Sequence, residues 1–114
     1  WRIPCTYVKE RLTDDTAVIT TEYVTTLYYT GRVDDWFPSR HLPWEVWETG
    51  LTGLKTLEDL QRFMAAHPKG FYLAELFRIM NVDALATERA WVEAHMTRID
   101  EASTGDVTLF AWGF

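Results

Sequence analysis

Two short apolar runs, Ala17-Val18-Ile19-Thr20 and Gly70-Phe71-Tyr72-Leu73-Ala74, constrain the fold of this chain more than any other feature. Both have strand length and lack the apolar/polar alternation of a half-solvated strand, so each reads as a buried strand covered by helices. The segments between them carry helical rather than strand spacing. Strands separated by helices imply parallel neighbours joined by right-handed crossovers.

The helices announce themselves by spacing and by their ends. Pro4 suits a first helical position, and Cys5, Val8 and Leu12 follow on one face until Thr13-Asp14-Asp15 breaks the pattern. Thr21 is placed to cap a second helix over Glu22 to Tyr29, with Tyr23, Val24, Leu27 and Tyr28 as its apolar face and Gly31 as its end. Thr56-Leu57-Glu58-Asp59 resembles a capping box with Asp in place of Glu, ahead of a stripe of Leu57, Leu60, Phe63 and Met64 that stops at His67-Pro68. Thr87 is expected to cap a fourth helix that turns Ala90, Trp91 and Ala94 inward.

Near the end, Arg98-Ile99-Asp100, the turn Ser103-Thr104-Gly105-Asp106 and the strand Val107 to Trp112 make a hairpin. Residues 32 to 53 are the irregular part, punctuated by Pro38, Pro43, Gly50 and Gly53, with a short strand expected around Trp44–Thr49. The expected fold is therefore α/β: a small three-layer, Rossmann-like, mostly parallel sheet with an antiparallel C-terminal hairpin. At 114 residues it is one domain, long enough to bury a core.

Composition removes whole classes of function. The formal net charge is −6, with three Lys and eight scattered Arg, which argues against a nucleic-acid partner and against docking on an anionic membrane surface. One cysteine, Cys5, excludes an internal disulfide and is expected to be a small core residue. No apolar run approaches the roughly 20 residues of a membrane helix. No G-x-G-x-x-G follows the first strand, and neither G-x-x-x-x-G-K-[ST] nor G-x-S-x-G occurs. His41, His67 and His95 are far apart and Cys5 has no companion, so neither a metal site nor a cofactor is expected.

The one unusual stretch is Tyr28-Tyr29-Thr30-Gly31-Arg32-Val33-Asp34-Asp35-Trp36. Asp34 and Asp35 invite a divalent cation or an acid/base pair, but adjacent side chains diverge in an extended chain, which favours structural roles. Arg32 sits where a cation complements a helix C-terminus, or where it could grip an anion with Arg40 and His41. Trp36, with Phe37, Trp44 and Trp47, supplies rings for a core, a docking surface or a sugar face. Arg32, Asp34, Asp35, Trp36, Arg40 and His41 are the candidate ligand contacts; no residue qualifies as catalytic.

Val18-Ile19-Thr20-Thr21 followed by Leu27 to Trp36 resembles the tail of the dolichyl-phosphate-mannose protein mannosyltransferase-like membrane glycosyltransferases of bacteria and archaea. Leu57-Glu58-Asp59-Leu60, His67-Pro68-Lys69-Gly70-Phe71 and Arg89-Ala90-Trp91-Val92 continue the likeness in the same order, over nearly the whole chain. The resemblance implies a polyprenyl-phosphate sugar donor and a catalytic, membrane-spanning N-terminal part whose acidic loop is not matched here. It also implies that this chain is the C-terminal domain on the non-cytoplasmic face, with the membrane-embedded portion of the parent as partner and an acceptor or sugar as a further contact. A first residue of Trp1 rather than Met agrees with a piece cut from a longer protein. The competing reading is a free-standing α/β module for a small sugar or anionic ligand; the missing motifs argue against an independent enzyme.

Overall fold

The computed structural model describes residues 1–38, 53–75 and 85–114. Helix α1 (Arg2–Arg11) leads to strand β1 (Thr16–Thr20), helix α2 (Tyr23–Thr30) and strand β2 (Asp35–Trp36). Helix α3 (Leu57–Ala66), strand β3 (Lys69–Glu75), helix α4 (Ala86–His95), strand β4 (Thr97–Arg98), a 3₁₀ turn (Asp100–Ala102) and strand β5 (Val107–Trp112) follow. The strands form one open sheet in the order β2-β1-β3-β5-β4. β1 is parallel to both β2 and β3, whereas β5 is antiparallel to β3 and β4. The α/β expectation, with a parallel half and an antiparallel C-terminal hairpin, is what the chain adopts.

The two apolar runs pair directly, from Thr16 opposite Lys69 to Thr20 opposite Leu73. Successive side chains leave a strand on opposite faces. Ala17, Ile19, Tyr72, Ala74, Phe110 and Trp112 therefore share one face, where α3 and α4 add Leu60 and Val92. Val18, Phe71, Leu73, Leu109 and Ala111 share the other, where α1 adds Cys5 and Val8. Cys5 is a core residue, as expected, and burial pushes its thiol up to about 11.

The predicted helix ends at Gly31 and His67 match their sequence signals, whereas three of the four predicted starts are displaced. Gly31 closes α2 at φ 80°, a left-handed conformation that favours glycine, and its N–H donates to Leu27 O. The Thr56 hydroxyl accepts from Asp59 N at 3.1 Å while Asp59 accepts from Thr56 N at 3.2 Å, completing the capping box. Pro4 is the third residue of α1 rather than the first. It remains in the opening turn, where no N–H has an intrahelical acceptor. The cap of α2 is Glu22, not Thr21, because the Glu22 carboxylate accepts from Thr25 N at 2.7 Å. Leu85, not Thr87, precedes α4. Trp91 packs against the core as expected, but Val92 is the buried residue of this helix and Ala90 and Ala94 are exposed. Val92 removes more apolar area from water than either alanine.

α2 departs furthest from expectation. Its buried residues are Thr26 and Thr30, while Val24 is 55% and Tyr28 79% exposed. The Thr20 and Thr26 hydroxyls lie 2.8 Å apart, and Thr30 Oγ1 reaches Thr26 O and Arg32 O at 2.7 and 2.8 Å. Hydroxyls satisfied in this way are tolerated inside, and short side chains let α2 approach the end of β1 closely. β2, a strand within the stretch expected to be irregular, pairs only Asp35 and Trp36 with Ile19 and Thr20. The strand expected around Trp44–Thr49 lies outside the described residues.

The outer edges of the sheet are closed by short strands and side chains. β4 covers only Phe110 and Ala111 of β5; next to it, Ile99 N donates to Leu109 O and Leu109 N donates to Ser103 Oγ at 3.0 Å. At one corner of the core, Trp112 Nε1 donates to His67 O at 2.8 Å, joining β5 to the end of α3. The indole lies over Gly70, where a Cβ would overlap both the ring and the Ala17 carbonyl. Gly70→Ala is expected to destabilise the domain by about 1–3 kcal/mol, the range for overpacking a filled core. Chemical denaturation monitored by tryptophan fluorescence measures this, and an unchanged midpoint would contradict the packing described.

Candidate functional site

Arg32, Asp34, Asp35 and Trp36 occupy the path from the end of α2 into β2. Asp34 N donates to Val18 O at 2.8 Å, and Val18 N donates back to Asp34 Oδ2 at 2.7 Å. The side chain thus takes the place of a strand carbonyl beside β1, just before β2 begins. Arg32 donates to the same oxygen through Nε and Nη2, each at 3.3 Å, and through Nη1 to Thr13 O at 3.0 Å. The pair ties the turn before β1, β1 itself and the exit of α2 into one clasp. Both side chains are about one-third exposed, so water screens their attraction and the hydrogen bonds carry most of the effect.

Asp35 shares no hydrogen-bond partner with Asp34. Its Oδ1 accepts from Trp36 N at 3.0 Å, and the Gly53 backbone supplies a further hydrogen bond. Burial raises its pKa above the ordinary 3.8, with the charge of Asp34 adding to the rise and the backbone hydrogen bonds opposing it. Trp36 is a core residue, 4% exposed and packed edge-on against Tyr23. Its Nε1 is buried without a hydrogen-bond partner among the described residues. The two adjacent acids therefore make separate sets of hydrogen bonds. Arg40 and His41 lie outside the described residues.

Arg32 and Asp34 also wall an open groove of about 510 Å³ at the N-terminal ends of β1 and β3, together with Asp14, Asp15, Thr16 and His67. Sequence spacing did not group Asp14, Asp15 and His67 with Arg32, because pairing of β1 with β3 is what brings residues 14–16 beside residue 67. The groove is polar but largely committed to itself. Asp15 accepts from the Thr13 hydroxyl and pairs with Lys69 at 3.3 Å, contacts that hold its carboxyl below its usual range. His67 bonds Phe63 O through Nδ1 at 2.9 Å and stacks on the Phe63 ring. A neighbouring hollow of about 570 Å³ includes Lys55, Asp59, Arg62 and Phe63; there Arg62 and the Lys55 and Thr56 amides hold Asp59 at about 2.

These features do not assemble a reaction centre. Among the described residues no three His, Cys, Asp or Glu side chains gather as metal ligands, and the lone thiol is buried in the core. Ligands of open α/β sheets bind outside the carboxyl ends of the strands, often with an anion at a helix N-terminus. At that end of β1 the first turn of α2 already holds the Glu22 carboxylate, so an anionic ligand would compete with the chain's own cap. The Thr21 hydroxyl there accepts from Glu75 N at 2.9 Å, binding the ends of β1 and β3 together.

The remaining feature is the outer face of α2. Val24, Leu27 and Tyr28, at i, i+3 and i+4, point away from the core, with Tyr29 partly exposed beside them. The helix carries no charged residue over Tyr23–Thr30. The apolar stripe of this helix is thus turned outward rather than into the core. Sequence spacing finds this stripe together with Tyr23 as one apolar face, of which Tyr23 packs on Trp36 and the other three face outward.

Two substitutions test the clasp and its neighbour. Asp34→Ala leaves Val18 N without its acceptor and is expected to cost about 1–3 kcal/mol, whereas Asp34→Asn keeps an acceptor and costs less. Equal losses in the two variants, measured by urea denaturation, would assign the effect to the ion pair instead. For Asp35, the folded chain holds the carboxyl proton more tightly than the unfolded chain. Its contribution favours folding below about pH 3.8 and is lost as pH rises through the raised folded value. Asp35→Asn is therefore expected to raise stability at pH 7 and to lose that advantage below about pH 3.8, read from melting temperatures across the range.

No family model, curated protein or solved structure matches this chain, so residues and geometry carry the functional reading.

Proposed function

We propose that this chain is a non-catalytic accessory domain of a membrane glycosyltransferase that uses a polyprenyl-phosphate-linked sugar. In this reading it sits on the non-cytoplasmic face of the membrane and packs against the membrane-embedded portion of its parent. Sugar transfer belongs to that portion, and no helix among the described residues is long and apolar enough to cross a membrane.

The carrying observation is the outward face of α2. A charge-free helix that buries threonines and exposes Val24, Leu27 and Tyr28 leaves an apolar stripe for another surface to cover. The stretch that carries the family resemblance, Leu27 to Trp36, contains part of this face and the Arg32–Asp34 clasp that anchors its base. A partner of the same polypeptide meets such a face at high effective concentration, so a small stripe suffices. The free-standing sugar- or anion-binding reading has less support, because Arg32 and Asp34 are tied to their own chain and Glu22 fills the helix terminus.

The test is Val24→Ser, Leu27→Ser and Tyr28→Ser combined in the full-length parent. Transfer of sugar from the lipid-linked donor is expected to fall about tenfold, equivalent to about 1.4 kcal/mol of lost contact. The isolated domain should keep its melting temperature, because exposed positions contribute little to folding. Unchanged transfer would remove α2 as the docking face. A parent reading frame without hydrophobic spans would overturn the glycosyltransferase assignment itself.

A further inference from the structure

We draw no further inference here: the strongest candidate, the open groove at the N-terminal ends of β1 and β3 walled by Arg32, Asp34 and His67, belongs to the site already described and has those three side chains bonded to one another or to the backbone, so nothing in it points to a particular ligand.

Discussion

Everything in this domain depends on the parallel pairing of β1 with β3. The two strands meet across a separation of more than 50 residues, and their contact brings the Thr13–Asp15 turn beside the end of α3. It also sets the requirement that both sheet faces be covered, because both runs are buried along their length. α1 covers one face, while α3 and α4 cover the other. Gly70 is a point of close approach: the Trp112 indole can lie over it and reach the end of α3 because the position lacks a side chain.

α2 follows different rules from its neighbours. The other helices bury aliphatic side chains, whereas α2 buries Thr26 and Thr30, meets β1 through the Thr20–Thr26 hydroxyl pair and packs Tyr23 edge-on against Trp36. These bonds, with Tyr23 packed on Trp36, fix its orientation and leave Val24, Leu27 and Tyr28 outside. The apolar surface left outside is therefore a product of how the helix is anchored. Its base is fixed by the Asp34 carboxylate, which joins the exit of α2 to β1. The same short stretch thus combines a fixed attachment with an exposed apolar face.

The features legible in the sequence were those with a repeated physical signal. β1, β3 and β5 stand out as apolar runs, α3 by its capping box and stripe, and the end of α2 by Gly31. β2 was not legible because two residues of a parallel edge strand have no period. Helical spacing grouped Val24, Leu27 and Tyr28, but periodicity identifies a stripe and not the direction it faces. Thr26 and Thr30 won the inner side through hydrogen bonds made partly with a residue on β1, which no window along α2 contains. For the site, the separate roles of Asp34 and Asp35 followed from their adjacency. The groove shared with His67 required the fold, since only strand pairing makes residues 14–16 its neighbours.

The side chains that finish the sheet have a consequence for how copies of the domain behave near one another. Asp34 takes the Val18 amide on one outer edge and Ser103 takes the Leu109 amide on the other, while β2 and β4 present only two residues each. An incoming extended chain would find few unpaired backbone groups on which to build another strand. Among the described residues, both ends of the sheet are closed in this way. The described edges thus offer little backbone for one copy to share a sheet with another.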